Sequence, residues 1–229
     1  MAAPSADTFD HLAADYDAWY DRHALEFAAE LDAVRPLLDG VDGAGLEIGV
    51  GTGRFAATLG IGFGLDPAPR MAAYARDRGI RTVIGEAERL PFRDGVFGYT
   101  AFITSLCFVA DPLRALREAH RVTGSGGSIV VAYLEPESAA GRRLLAEKAD
   151  SPYYSRATLL PGREVERLLR AAGYLPQDAA HLEPVAGEPT GPGQRPARLV
   201  PRPGRDGGLF CVIGARRLTP APDDGTMTA

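Results

Sequence analysis

The sequence predicts an α/β fold: a doubly wound, mostly parallel sheet with a C-terminal antiparallel strand pair. Short apolar segments alternate with segments of helical spacing, which is typical of parallel strands joined by helical crossovers. One apolar segment, residues 45–48, runs into glycines at every second position and then into a helix. Two segments near the C-terminus, about residues 179–185 and 209–215, predict the antiparallel pair.

The N-terminal segment, residues 1–40, is predicted to be a helical lid. One or two helices are expected over residues 9–38, because apolar and aromatic side chains recur there at three-to-four spacing. The members of this stripe are Leu12, Tyr16, Trp19, Tyr20 and His23. One interpretation packs the stripe onto the domain, with Trp19 in the core. The other closes its tyrosines over a ligand, and both can hold for different residues.

The central part of the chain is predicted to alternate strands with helices. The predicted strands are residues 45–48, 61–66, 82–84, 98–104 and 128–133, and the predicted helices begin after Gly53 and at Pro69, Pro112 and Pro161. Asp111 is the expected N-cap of the helix at Pro112, because an aspartate accepts hydrogen bonds from first-turn amides. Glycines at 124–127 are expected to interrupt the chain before the fifth strand.

Residues 41–218 are predicted to form one ligand-binding domain. Within it, residues 188–205 are dense in proline, glycine and arginine, which predicts a loop that holds no core element. Residues 219–229 are predicted to be a disordered tail.

Composition disfavours several classes of protein. A net charge of −5 argues against a general nucleic-acid or anionic-membrane binder. The two cysteines, Cys107 and Cys211, lack the spacing of a metal site, which indicates a reduced, metal-free, cytoplasmic protein. The first eight residues lack the features of a signal peptide, and no apolar run approaches the roughly 20 residues of a membrane span. The expected state is a monomer or homodimer that binds small molecules.

Three polar features follow successive predicted strands. The glycine loop at 49–53 follows the first strand, Asp66 is at the tip of the second, and Glu86-Ala87-Glu88 follow the third. Open α/β sheets bind ligands at these carboxyl ends. Asp66 is suited to accept hydrogen bonds from both hydroxyls of a ribose. The residues at 86–88 are suited to contact the edge of a nucleobase. The three features together predict a nucleoside site, whereas a structural turn of the same composition is the alternative.

The glycine spacing narrows the range of possible ligands. Glu47, Gly49, Gly51 and Gly53 form an acid followed by three alternating glycines, not the G-x-G-x-x-G of dinucleotide sites. A carboxylate at Glu47 would repel a pyrophosphate and attract an ammonium group. Acid at Asp66 disfavours a 2′-phosphate by the same repulsion. The predicted ligand is therefore a positively charged nucleoside.

On these residues the chain resembles class I S-adenosylmethionine-dependent methyltransferases, particularly the small-molecule type (methyltransferase domain 11) near the ubiquinone/menaquinone branch. The resemblance extends from Leu46 to about Gly173. It rests on residues 46–55, 64–71, 85–92 and 116–131, of which 85–92 is close to Gly-Asp-Ala-Glu-x-Leu-Pro-Phe. It implies a Rossmann-like fold, S-adenosylmethionine as cofactor, and methyl transfer to an O, N or S atom of a small acceptor. Such a transfer depends mainly on proximity and alignment.

The resemblance also implies residue roles. Residues 47 and 49–53 would hold the methionine part and Asp66 the ribose, while Met71 would lie on an adenine face. The implied cofactor-binding residues are Glu47, Gly49, Gly51, Thr52, Gly53, Asp66, Pro67, Met71, Glu86, Ala87, Glu88 and Thr104. Glu86 stands in place of the family's commoner Asp, and Gly98 also stands where an Asp is usual. Residues 123–125 replace Leu-Lys-Pro.

The acceptor side is less defined, and no catalytic residue is identified. Relatives often carry a His pair after the fourth strand, whereas this chain has Leu-Cys-Phe-Val at 106–109, which argues against a His base from this loop. The candidate substrate-binding residues are Tyr16, Tyr20, His23, Cys107 and Tyr133. Plain packing is the alternative, above all for Cys107 as a small apolar residue and for His23.

Three other functions stay open at this point. The cofactor could serve a reaction other than methyl transfer, such as donation of a larger group or a cyclisation. The chain could be a non-catalytic cofactor-binding subunit that supports a partner. A nicotinamide dehydrogenase is disfavoured by the glycine spacing.

Overall fold

A computed structural model describes residues 6–185, 198–204 and 207–218. These residues form one eight-stranded sheet in the order β3-β2-β1-β4-β5-β8-β6-β7. The strands are β1 Gly45–Ile48, β2 Phe63–Asp66, β3 Arg81–Ile84, β4 Phe97–Ile103, β5 Thr123–Leu134, β6 Tyr174–Pro184, β7 Leu199–Pro203 and β8 Phe210–Arg217. The helices are α1 Ala6–Arg22, α2 Ala24–Val34, α3 Arg54–Leu59, α4 Pro69–Asp77, α5 Pro112–Val122, α6 Ala139–Glu147 and α7 Gly162–Ala171. Single 3₁₀ turns span Arg35–Leu37, Leu106–Phe108 and Lys148–Asp150.

The pairing of the strands confirms the predicted fold class. β1 lies between β2 and β4, and the strands from β3 to β5 pair in parallel. β8 pairs antiparallel with both β5 and β6, which is the predicted closing pair. The strand order reverses between β1 and β4, and a crevice opens at the carboxyl ends of the strands at such a reversal.

Apolar side chains bury both faces of the sheet. Leu46 and Phe102 face one side, where they pack with Leu116 of α5 and Leu169 of α7. Ala101, Ile103 and Val130 face the other side, where α2 and α3 supply residues such as Val34 and Phe55. All four residues of β1 are buried, so the strand that leads into the glycine loop is fixed from both sides.

The predicted N-cap of the helix at Pro112 agrees with the structure. Asp111 is the N-cap of α5, and its carboxylate accepts a hydrogen bond from the Arg114 amide at 3.0 Å. α3 ends before Gly60, whose φ of 75° lies in the left-handed region that glycine adopts easily.

Two predictions for the middle of the chain were wrong or incomplete. The glycines at 124–127 do not interrupt the chain, because β5 already begins at Thr123. A register shift opposite Phe97 and Tyr99 lets the strand absorb them as an irregularity. The sequence reasoning also missed α6, although Ser138 caps it by accepting a hydrogen bond from the Gly141 amide at 2.9 Å.

The prediction of a loop over residues 188–205 was wrong in part. Residues 199–203 form β7, an edge strand that pairs antiparallel with β6. An edge strand tolerates Pro201 and Pro203, because one of its sides needs no amide donors. The rest of the predicted loop up to residue 197, Arg205, and the predicted tail at 219–229 lie outside the described residues. The domain boundaries at 40, 41 and 218 stay predictions.

Candidate functional site

A cavity of about 490 Å³ opens at the carboxyl ends of β1 to β4, within the size range of small-molecule sites. Most of the predicted site residues line it, namely Tyr16, Gly49, Gly51, Asp66, Pro67, Met71, Glu86, Ala87, Glu88 and Thr104. The remaining cavity wall consists of residues that the sequence did not single out: Phe9, Ile48, Leu65, Ala68, Phe102, Ile103, Ser105, Phe108, Val109 and Ala110.

The glycine loop turns through left-handed backbone that only glycine adopts without strain. Gly49 has φ of 77°, and a Cβ there would lie 2.5 Å from the Cβ of Ser105. Gly51, with φ of 53°, lies beside the ring of Tyr16, because a Cβ there would be 3.7 Å from a ring carbon. Gly53 has a different task, because a Cβ there would lie 2.9 Å from the Ala75 backbone of α4. The first two glycines therefore shape the cavity and the third permits close packing.

Asp66 holds the loop and faces the cavity. Its two carboxylate oxygens accept hydrogen bonds from the amides of Gly51 at 2.8 Å and of Ala68 at 2.9 Å. Burial raises the pKa of Asp66 to about 6, although these two amides oppose that shift. Each carboxylate oxygen keeps a second lone pair, so the group can still accept hydrogen bonds from a ligand.

Glu47 lies beneath the loop and does not line the cavity. Its side chain is only 2% exposed, and Oε2 has no hydrogen-bond partner among the described residues. Burial raises the pKa of Glu47 well above its usual range, and a hydrogen bond from the Ala56 amide opposes that shift. Thr52, which is 1% exposed, and Gly53 are likewise behind the cavity wall. The structure thus does not bring these three predicted residues to the cavity.

The loop after β3 contributes Glu86, Ala87 and Glu88. Glu86 is exposed at the cavity mouth, and Ala87 is buried in the wall. Glu88 already has a structural task, because its Oε1 accepts hydrogen bonds from the Ala110 amide at 2.9 Å and the Asp111 amide at 3.2 Å. This contact joins the loop after β3 to the loop after β4.

The loop after β4 is pinned by a strained residue. Thr104 has φ of 52°, which is a genuine outlier for a β-branched side chain. Its amide donates to the Ala132 carbonyl at 2.9 Å, so the sheet itself holds the residue in place. Strain of this kind is concentrated at functional sites. The next residue, Ser105, donates its hydroxyl to the Ile48 carbonyl at 2.6 Å and packs on Gly49.

α1 covers the cavity with aromatic rings. Phe9 packs edge-to-face on Phe108 at 4.9 Å between ring centroids, and Tyr16 forms a hydroxyl–hydroxyl hydrogen bond with Tyr20 at 2.9 Å. Phe9 precedes Tyr16 by seven residues, which places both on one face of α1. This spacing was the signal in the sequence that could have identified Phe9.

An ion-pair cluster fastens α1 to the residue after the glycine loop. Arg54 donates two hydrogen bonds to the Asp17 carboxylate, at 3.0 and 2.7 Å, and Arg78 donates a third at 2.9 Å. Arg54 also reaches Asp21 at 2.7 Å. Burial alone would raise the pKa of Asp17, but the hydrogen bonds, led by the one from Arg54, lower it to about 2. The cluster therefore links α1 directly to the end of the glycine loop.

The other candidate acceptor-side residues do not line the cavity. Tyr20 is buried behind Tyr16, and half-buried Trp19 packs on Tyr20 and against the core. The stripe thus packs onto the domain, but Tyr20 and not Trp19 is its core member. His23 stacks on Trp19 at 4.2 Å.

Cys107 and Tyr133 are also placed elsewhere. The Cys107 thiol donates to the Thr104 carbonyl at 3.4 Å, and burial raises the pKa of Cys107 to about 12. Tyr133 is buried in the core against α7. A Cβ at Gly162, the first residue of α7, would collide with the Tyr133 hydroxyl group.

The charged residues of the cavity wall are all acidic. Asp66, Glu86 and Glu88 supply carboxylates, and no Lys, Arg or His occurs among the described residues that line the cavity. Such a wall favours a positively charged ligand. Over the described ranges, no group of three or more His, Cys, Asp and Glu side chains could hold a metal ion.

Comparisons with known proteins decide the family. Residues 46–131 match the family model of a methyltransferase domain. The fold matches a Thermotoga maritima protein described as an S-adenosylmethionine-dependent methyltransferase and possible histamine N-methyltransferase. The TM-score is 0.85 with 35% identity, over 93% of this chain and 100% of that one. The chain belongs to the S-adenosylmethionine-dependent methyltransferases.

The methyltransferase is also similar to proteins known from their sequences. An uncharacterised protein of Methanocaldococcus jannaschii is 36% identical over 168 residues, which are 73% of this chain and 81% of that relative. A demethylmenaquinone methyltransferase of Roseiflexus is 33% identical over 152 residues, which are 62% of each chain.

These findings confirm the predicted family, the fold class, the enzyme class and S-adenosylmethionine as the cofactor of the methyltransferase. No helix in the described part of the chain is long and apolar enough to cross a membrane. The cytoplasmic location, the oligomeric state and the roles of individual site residues stay predictions.

Proposed function

We propose that the methyltransferase transfers a methyl group to an atom of a small-molecule acceptor inside the cavity beneath α1. The observation that carries this proposal is the cavity itself, whose glycine turn and buried Asp66 adjoin an aromatic wall. Its acidic lining disfavours a nucleic-acid acceptor, because phosphates would be repelled. The relatives' names include both a demethylmenaquinone methyltransferase and a possible histamine N-methyltransferase, so similarity alone does not select the acceptor.

The residues present fit the cofactor. Asp66 would accept hydrogen bonds from the ribose hydroxyls, with the lone pairs that its two amide contacts leave free. Gly49 and Gly51 would let the methionine part approach the backbone, and Met71 and Ala87 would pack against the base. Glu47 lies behind the wall with its pKa raised well above the usual range, so it would support the loop from behind and would not pair with the ammonium group. The cofactor supplies a methyl group on a positively charged sulfur, which is activated for displacement.

The protein's own contribution is alignment and exclusion of water. The ion-pair cluster of α1 holds Tyr16 and Phe9 over the cavity, and the strained Thr104 fixes the loop beside it. A direct displacement gains most of its acceleration from such positioning of the two reacting atoms.

Calorimetry with S-adenosylmethionine and S-adenosylhomocysteine tests the proposal. Wild-type protein should bind both, and Asp66→Ala should weaken binding at least about tenfold, because a charge-assisted hydrogen bond contributes about 1.5–3 kcal/mol. Asp77→Ala, which removes an exposed carboxylate at the end of α4, is the matched control and should bind normally. A thermal unfolding scan of each variant separates lost binding from lost folding.

The mass of the reaction product tests the chemistry. A gain of one methyl group in a small acceptor supports the proposal, whereas a different mass gain would indicate another use of the cofactor. Failure of the wild-type protein to bind S-adenosylmethionine and S-adenosylhomocysteine would refute the proposed function.

A further inference from the structure

The cavity has two halves of different chemistry. The β2–β3 half is formed by Asp66, Met71 and residues 86–88, and it contains all of the acidic side chains that line the cavity. The β4 half is formed by Thr104, Ser105 and Phe108 together with Tyr16 and Phe9 of α1, and it is uncharged. If the β2–β3 half holds the nucleoside, as the proposed function has it, the acceptor occupies the β4 half.

The β4 half contains no group suited to remove a proton. The Ser105 hydroxyl donates to the Ile48 carbonyl at 2.6 Å, and Thr104 supplies only an alcohol. Burial raises the pKa of the Tyr16 phenol far above its ordinary value, and its hydrogen bond to Tyr20 opposes that shift. Cys107 is outside the cavity wall.

Three carboxylates of the described residues lie near this half, but none belongs to it. Glu88, where the two halves meet, accepts two backbone amides at one oxygen. Asp15, at the outer face of α1, accepts the Tyr153 hydroxyl at 2.6 Å. Glu30 does not line the cavity but acts electrostatically on Tyr16 and Tyr20, and burial raises the pKa of Glu30 to about 8. Because Glu30 does not line the cavity, a proton from an acceptor would have to be relayed to it, and the hydrogen-bonded Tyr16–Tyr20 pair is the candidate relay.

This environment discriminates between nucleophiles. A hydroxyl group must lose its proton as the new bond forms, which requires a base at the acceptor. A phenolate or thiolate would be a desolvated anion, and no Lys, Arg or His among the described lining residues would pair with it. A neutral amine needs neither a base nor a cationic partner.

We propose that the acceptor is an uncharged amine, bound between α1 and the loop after β4, and that its methylation uses no enzyme base. The nitrogen lone pair forms the new carbon–nitrogen bond while the carbon–sulfur bond breaks and its electron pair stays on sulfur. One positive charge moves from sulfur to nitrogen, and no proton leaves in this step. The aromatic walls stabilise the resulting ammonium, because ring faces attract cations. These rings belong to Phe9, Tyr16 and Phe108.

A binding experiment tests the charge requirement without turnover. The probe is N,N,N-trimethyl-2-phenylethylammonium, a permanent cation that cannot accept a methyl group, and the control is its neutral tert-butyl analogue. The cation should bind the S-adenosylhomocysteine complex at least about fivefold more tightly than the S-adenosylmethionine complex, whose sulfonium repels it. The neutral analogue should bind both complexes equally. Absence of cation binding, or tighter binding of the neutral analogue to the S-adenosylhomocysteine complex, overturns the proposal.

A transfer experiment tests the acceptor atom. The panel is 2-phenylethylamine, 2-phenylethanol and 2-phenylethanethiol, with aniline as a weakly basic second amine. Methyl transfer is expected to nitrogen only, and the pH midpoint should differ between the two amines by following each amine's own pKa. Methylation of oxygen or sulfur, one midpoint common to both amines, or no product from any member while the donor binds overturns the proposal. Failure of the donor to bind would instead refute the proposed function beneath it.

The variant Tyr16→Phe tests whether methyl transfer uses an enzyme base. If the Tyr16–Tyr20 pair relays a proton to Glu30, removal of the hydroxyl should slow the transfer by about 100-fold or more, as loss of a general base does. Without an enzyme base, the loss should stay below about tenfold and the pH midpoint should not move. A loss of 100-fold or more at unchanged donor affinity overturns the proposal.

Discussion

The two halves of the cavity are built in different ways. The β2–β3 half and the adjoining glycine loop after β1 come from strand ends and turns within residues 46–88, and main-chain amides hold the carboxylate of Asp66 at 2.8 and 2.9 Å. The β4 half brings together rings from residues 9–16 with the loop at 104–110, which are almost 100 residues apart in the chain. One half is therefore set by local backbone geometry and the other by tertiary packing. Substitutions in the two halves should therefore have different effects on stability and on binding.

The largest expected effect is at the glycine loop. Gly49→Val places a β-branched residue at φ of 77° and drives its side chain into Ser105. We expect a loss of about 3 kcal/mol in the free energy of unfolding, together with loss of donor binding. Urea denaturation and calorimetry measure the two quantities. Gly62→Ala is the control, because no atom lies within 4 Å of a Cβ there, and it should change neither. A Gly49→Val protein that binds the donor normally would show that the turn is dispensable.

The next effect is at the ion-pair cluster that joins the halves. Arg54→Ala leaves the nearly buried Asp17 with Arg78 as its remaining guanidinium partner. We expect a loss of about 2 kcal/mol in stability, below the value for a fully buried pair, and faster dissociation of the donor in stopped-flow measurements. Arg22→Ala breaks the exposed pair with Asp15 on the same helix and is expected to leave both quantities unchanged. Equal behaviour of the two variants would mean that α1 is not fastened through Arg54.

A smaller effect is expected from pH at the β2–β3 half. Because the pKa of Asp66 is raised to about 6 in the folded protein, the free protein carries this carboxyl mostly protonated below that pH. Ribose hydroxyls donate to the carboxylate form, so donor affinity should fall as pH decreases below about 6, by up to tenfold per unit. Calorimetry from pH 5 to 8 with S-adenosylhomocysteine measures this. Asp66→Asn should bind more weakly and without this pH dependence, and an unaltered pH curve in that variant would exclude Asp66 as its source.

The smallest effect is expected at Cys107. Its thiol lies beside the strained Thr104 but outside the cavity wall. Cys107→Ala should therefore leave donor affinity and the rate of methyl transfer within about twofold, with a modest loss in stability from the removed sulfur. A tenfold decrease in rate at unchanged donor affinity would place this residue in the β4 half after all.

The sequence predicted the β2–β3 half well because its determinants are local. A strand, a glycine turn and the acid that ends the next strand lie close together in the sequence, and Gly49, Gly51 and Asp66 all line the cavity. The same motif also contains Glu47 and Gly53, which serve the structure behind the wall. Spacing identifies a loop but does not reveal which of its side chains face outward.

The β4 half was predicted only in part, since packing assembles it. Tyr16 was found from its aromatic stripe, but Ser105 and Phe108 look unremarkable in sequence and gain their places from contacts with Ile48 and Phe9. The proline-rich composition around Pro201 predicted a loop where the structure has strand β7. A strand accepts proline when it lies at the edge of a sheet, and this position cannot be seen from residue type.

Arg54 gives the enzyme a mechanical property. Arg54 directly follows the glycine turn, and its guanidinium group binds Asp17 of helix α1. One side chain therefore connects the glycine loop with the helix that covers the cavity. Because the Arg54 and Asp17 side chains are only 19% and 12% exposed, dissolved salt should weaken this link little. We expect the residence time of a bound molecule to change little with ionic strength. The rate of local unfolding of the helix turn around Asp17 should set that residence time instead.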